Sequence, residues 1–284
     1  MTELVFRDYD QAGLDAQYDN RAKVPAFAEY MDRWQRLSRE TRERLSAQLN
    51  VAYGPSREEV LDIFPGRPGA PIHIFYHGGY WRALHKDDFS FVVDSLQPTG
   101  VTTVIVNYAL VPSVDMAELV RQCRAALAWV WHNAASFGGD RERIYISGHS
   151  AGGHLVAMMM ATDWPAFAAG LPSDPLRAGC GISGLYDLEP IRLCFLNADL
   201  AMSRADAAAL SPVLLPRHCS GTLVLPLGDL EGPEYFRQSS DLAAAWANTE
   251  IQPMAGHDHF SIAAQLEDPD SELASIIHRQ MGVG

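Results

Sequence analysis

Four short β-branched runs, separated by longer helical stretches, constrain this chain more than any other feature. They are Ile72–Tyr76, Thr103–Val106, Ile144–Ser147 and Thr222–Leu225. Apolar residues recur at helical spacing across Met116–Trp131, Leu155–Thr162 and Leu242–Ala247 with its flanks. Continuous apolar strands alternating with helices predict an α/β fold with a doubly wound, mostly parallel sheet, because such strands are buried on both faces. The 284 residues suffice for one large domain spanning 1–284. Within it, residues 1–57 read as an N-terminal helical segment packed on the core, with Phe27, Tyr30, Met31, Trp34 and Leu37 on one face. Residues 185–216 are too long for a simple connection and read as an insertion or small lid before the next strand.

Composition narrows the function. Lys and Arg total 22 against 35 Asp and Glu, a net charge of −13. Such a surface repels phosphate backbones and anionic lipids, which argues against nucleic-acid and membrane partners. The first residues lack the basic, apolar and small-residue regions of a signal peptide, and no apolar run reaches membrane-spanning length. The four cysteines, Cys123, Cys180, Cys194 and Cys219, are widely spaced, as expected of reduced thiols in a cytoplasmic protein. The chain is compatible with a homodimer.

The chemistry centres on Gly148-His149-Ser150-Ala151-Gly152, placed between a strand and a helix. This is the nucleophile-elbow pattern, in which a serine sits on a sharp turn and the following helix directs its positive end at a developing oxyanion. Ser150 is therefore the candidate nucleophile. Upstream, His77-Gly78-Gly79-Tyr80-Trp81 also follows a buried strand. Gly78 and Gly79, with Ala151, are the candidate oxyanion N–H donors, and His77 is read as structural. Tyr80 and Trp81 could face substrate. A serine needs an oriented base, and on this fold acid and histidine follow the serine in the chain. Local pattern leaves His257 and His259 in competition as base, with His154 and His278 less well placed. Asp229, Glu231 and Asp187 compete as the acid.

Taken together, these residues resemble the kynurenine formamidase (arylformamidase) branch of the α/β-hydrolases, near the hormone-sensitive-lipase-like esterases. The resemblance runs through Gln17–Arg21, His77–Trp81, Gly148–Gly153, Ser183–Leu188, Glu231–Glu234, Arg237–Ser239 and Asp258–Phe260. It implies Glu231 as the acid, seven residues before Gln238, where well-studied eukaryotic members carry Asp. It implies His259 as the base, and Tyr186 joins Tyr80 and Trp81 as a substrate-pocket candidate. The implied activity is hydrolysis of an N-formyl arylamide such as N-formylkynurenine, a step of tryptophan catabolism, through an acyl-enzyme without metal or organic cofactor. Two alternatives stand beside it: a carboxylesterase of short acyl esters, and an inactive hydrolase-fold binding protein.

Overall fold

Eight strands form one sheet in the computed structural model, which describes residues 3–283. In chain order they are β1 (Gln48–Ala52), β2 (Val60–Phe64), β3 (Ala70–Tyr76), β4 (Thr102–Val106), β5 (Gly139–His149), β6 (Leu176–Ile182), β7 (Thr222–Gly228) and β8 (Thr249–Met254). The spatial order is β1-β2-β4-β3-β5-β6-β7-β8, with only the β1–β2 and β2–β4 pairings antiparallel. This is the α/β-hydrolase architecture, mostly parallel as the strand pattern predicts.

The strands divide their side chains between two cores. Ile72, Ile74 and Tyr76 of β3 face one apolar layer with Val104, Val106, Ile144, Ile146, Leu223 and Leu225. Phe75, Ile105 and Val224, the residues in between, face the other. Both faces are covered, so these strands read as unbroken apolar runs rather than as alternation. The helices Met116–Asn133 and Ala151–Met160 cover the first face, and Glu272–Met281 helps to cover the second.

The N-terminal segment departs from an all-helical reading. Helices Gln11–Tyr18, Asn20–Lys23 and Phe27–Arg44 give way to the edge strand β1 before residue 57. The long helix buries Trp34, Ser38 and Thr41, one turn apart on a single face. Trp34 stacks on Phe91 at 5.3 Å. Segment 185–216 contains three short α-helices, Glu189–Leu193, Asn197–Leu200 and Arg204–Ala209, followed by a 3-10 turn at Pro212–Leu214. It is pinned to the N-terminal helices, because Asp15 Oδ1 accepts the Phe195 N–H (2.8 Å) and Gln11 Nε2 donates to the Leu193 carbonyl (3.0 Å). Among the described residues no helix is long and apolar enough to cross a membrane. The four cysteines are buried and free.

Candidate active site

The elbow is set by a backbone that few side chains adopt. Ser150 has φ 58° and ψ −117°, directly between β5 and the helix Ala151–Met160. Its N–H donates to the Ile182 carbonyl of neighbouring β6 (2.8 Å), which ties the turn to the sheet. The tight turn needs Gly152, where a Cβ would overlap the Tyr76 carbonyl oxygen at the end of β3. Strain of this kind is maintained only where the surroundings over-determine it.

A hydrogen-bonded chain runs from this serine. His259 Nε2 lies 3.0 Å from Ser150 Oγ, and His259 Nδ1 lies 2.7 Å from Glu231 Oε2. The other carboxylate oxygen, Oε1, accepts the Gly228 N–H (2.8 Å) and the Ser183 hydroxyl. A carboxylate with no proton of its own accepts at Nδ1, so the imidazole proton sits there and Nε2 is free to accept from serine. All three side chains are buried. A hydroxyl, an imidazole and a carboxylate in this order can move a proton off the serine oxygen and return it to a leaving group.

The other titratable candidates lie elsewhere. His257 turns away, its Nδ1 3.3 Å from Ser261 Oγ and its Nε2 against Gln265. Asp229 Oδ1 accepts the Gly256 N–H (2.7 Å), joining the ends of β7 and β8. Asp187 pairs with Arg237 (3.0 Å) and accepts the Glu189 N–H. His278 contacts the Ser95 carbonyl (2.8 Å). His77 stacks on Tyr108 at 4.3 Å, and its Nδ1–H donates to the Gly78 carbonyl (2.8 Å).

Gly78 packs directly on the elbow, where a Cβ would stand 2.8 Å from the His149 carbonyl oxygen and 3.3 Å from Ser150 Cβ. Gly79 follows at φ 109°, a conformation open to glycine. Ala151 opens its helix, so its N–H has no intrahelical acceptor. Gly78, Gly79 and Ser150 share a cleft enclosing about 690 Å³, part of it open to solvent. Its opposite wall comes from the N-terminal segment through Asn20, Phe27 and Met31, and from Phe195 and Leu196 of segment 185–216.

Of the three aromatic residues expected at the pocket, only Tyr80 lines this cleft. Trp81 is fully buried, and its indole N–H donates to His154 Nδ1 (3.2 Å). Tyr186 is also fully buried, its hydroxyl donating to the Gly181 carbonyl (3.0 Å) beneath the Gly184 turn. Both are core residues, since each ring is enclosed and each polar atom is satisfied within the protein. Sequence reasoning assigned no role to His149 or Ser183. His149 Nε2–H donates to the His259 carbonyl (2.7 Å), so the elbow itself holds the loop carrying the base. Among the described residues no three His, Cys, Asp or Glu side chains gather as a metal site would require.

Burial keeps a set of histidines neutral. It lowers His77 and His154 to about 4 and His73 to about 3, and it holds His149 well below the usual range. An unfolded chain titrates its histidines near 6.5, so below that pH it binds protons that the native state refuses. Their contribution is therefore intact above about pH 6.5 and declines as pH falls toward 4, by roughly 1.4 kcal/mol per pH unit for each histidine. Urea midpoints measured at pH 7, 5.5 and 4.5 should fall steeply. Between pH 6.5 and 4 the slope should be shallower for His154→Gln, which keeps a donor for the Leu210 carbonyl now bonded at 2.8 Å. An unchanged slope in that variant would place the proton uptake elsewhere.

Known proteins resemble much of this chain. A family model described as BD-FAE matches residues 62–166, which include both the double-glycine loop and the elbow. A kynurenine formamidase from Danio rerio is 31% identical over 82% of this chain and 82% of its own length. The esterase LipQ of Mycobacterium tuberculosis is 34% identical over 51% of this chain and 37% of its own. Among solved structures, a protein of Silicibacter sp. TM1040 provisionally described as a thioesterase is 30% identical. It superposes with a TM-score of 0.83, covering 93% of this chain and 98% of its own.

Proposed function

Since the chain belongs to the kynurenine formamidase branch of the α/β-hydrolases and is a hydrolase, we propose that it cleaves N-formyl arylamides, with N-formylkynurenine as prototype, by a serine mechanism. The observation that carries this reading is the Ser150–His259–Glu231 chain opening into a cleft walled by Phe27, Met31, Tyr80 and Phe195. Those side chains offer apolar and aromatic surface to a flat aryl group, while the elbow admits a small acyl carbon.

In this mechanism Ser150 Oγ attacks the formyl carbon as His259 Nε2 takes its proton. The resulting oxyanion lies toward the N–H groups of Gly78, Gly79 and Ala151, where preorganised donors stabilise charge that develops only in the transition state. His259 then gives the proton to the amine nitrogen as the C–N bond breaks. Water, deprotonated by the same imidazole, attacks the formyl-enzyme; the bond from the formyl carbon to Ser150 Oγ breaks, Oγ takes the proton back from His259, and formate leaves. Glu231 stabilises the imidazolium that forms twice in the cycle.

The likeness to LipQ favours a second reading, hydrolysis of short-chain acyl esters. The two are separated by kcat/KM on N-formylkynurenine and on p-nitrophenyl acetate and butyrate, with fluorophosphonate labelling to report on Ser150. The formamidase reading expects labelling at Ser150 and a higher kcat/KM on the formamide. Labelling with turnover of esters alone would select the esterase.

A further inference from the structure

Asn20 stands at the junction of three elements that build the site. It is 4% exposed, lines the cleft, and also lines a smaller pocket shared with Glu231 and His259. Its Nδ2 donates to Tyr235 Oη (2.7 Å) and to Tyr80 Oη (3.1 Å). The orientation of the amide follows from the hydroxyl protons. Tyr80 Oη commits its proton to the Tyr18 carbonyl (2.7 Å), so a neighbour at 3.1 Å must donate to it. The Tyr235 hydroxyl then donates to Tyr80 Oη, 3.1 Å away. Both amide hydrogens of Asn20 are used, and its carbonyl oxygen Oδ1 has no protein partner among the described residues.

Asn20 shares both of its pockets with His259, the residue that must protonate the leaving group. The Tyr235 ring, bonded to Asn20, packs 5.1 Å from the His259 ring. An amide differs from an ester at this point in one respect. When the scissile nitrogen turns its lone pair toward His259 Nε2–H, its own N–H swings to another direction and needs an acceptor. An ester oxygen has no such hydrogen.

We infer that Asn20 Oδ1 accepts the N–H of the scissile formamide, making Asn20 the residue that favours amide over ester cleavage. This rests on the formamidase reading above. The step involves no net transfer at Asn20: the C–N bond breaks, the carbonyl re-forms, and the proton from His259 joins the nitrogen. The amine leaves with its original hydrogen bonded to Oδ1. A site that offers an acceptor to a substrate N–H discriminates against the analogue without it, because that acceptor loses its water to the bound analogue and gains no partner in exchange.

The test uses formanilide and phenyl formate, which share acyl and aryl groups and differ in N–H against O. Formanilide also has no ortho carbonyl to accept the same hydrogen. In Asn20→Ala, Tyr80 keeps its bonds to Tyr18 and Tyr235, so the double-glycine loop stays anchored. The expected result is a loss of about 10- to 100-fold in kcat/KM on formanilide with less than about 3-fold on phenyl formate. Asn20→Ser should show the same imbalance, and retained ester turnover reports that each variant is folded. Equal losses on both substrates in Asn20→Ala would overturn the inference while leaving the formamidase reading intact. Wild-type enzyme active on phenyl formate but inert to formanilide would overturn both.

Discussion

Ser150→Ala should lower kcat by roughly 10³-fold or more while the protein remains folded. The hydroxyl is the atom that would bond to the acyl carbon, and the 3.0 Å contact with His259 Nε2 gives its proton a destination. Alanine keeps the Cβ of the elbow, so the bond from the residue 150 N–H to Ile182 is undisturbed. His259→Ala should be equally damaging, and the double variant only slightly worse, because nucleophile and base act as one unit. His257→Ala should be mild, since its ring is engaged with Ser261 and Gln265 rather than with the cleft. Steady-state kinetics with circular dichroism on the four proteins decide the matter. A folded Ser150→Ala variant with more than a tenth of wild-type activity would exclude a covalent serine mechanism.

The strands β3, β4 and β7 and the C-terminal half of β5 were legible in the sequence because they are covered on both faces, which produces apolar runs that no surface strand needs. The edge pair β1 and β2 was not. β1 is largely exposed, and β2 has Asp62 at its centre, a residue that alone argues against a buried strand. Asp62 is accommodated by the buried Lys86 ammonium, 2.8 Å away across a loop, a pairing that no local pattern reveals.

Within the site the same division holds. The elbow is local chemistry, a strand, two glycines and a helix, and can be read directly. Which of two histidines two residues apart enters the cleft depends on Asp258, whose Oδ1 accepts the N–H groups of Phe260 and Ser261 and turns the loop. Trp81 and Tyr186 illustrate the converse difficulty. An aromatic residue beside a catalytic motif has the same sequence signature whether its ring faces substrate or fills the core. Phe27 and Met31 invert that case, since the helical spacing that reads as a core-packing face places them, together with Trp34, on the cleft wall.

Exchanging Glu231 for Gln should lower kcat about 10²- to 10⁴-fold without abolishing labelling of Ser150. Both carboxylate oxygens accept: Oε1 from Gly228 N–H and Ser183, Oε2 at His259 Nδ1. A glutamine amide presents a donor at one of these places whichever way it turns. Facing His259, its NH₂ meets the Nδ1–H and drives the imidazole into the other tautomer, with Nε2 protonated and unable to accept from Ser150. Facing Gly228 and Ser183, it sets the amide against the backbone N–H and weakens the hold on the residue that orients the base. Either outcome removes the charge that would stabilise the imidazolium. Asp229, in the same loop, should behave differently. It is exposed, and its one side-chain bond, to Gly256 N–H, ties the ends of β7 and β8. Asp229→Ala should cost about 1 kcal/mol of stability at most and leave kcat near wild type. Measuring kcat and the urea midpoint for both variants separates the two carboxylates. Catalytic collapse in Asp229→Ala with Glu231→Gln near wild type would transfer the acid's role to Asp229 and require the loop to rearrange in the working enzyme.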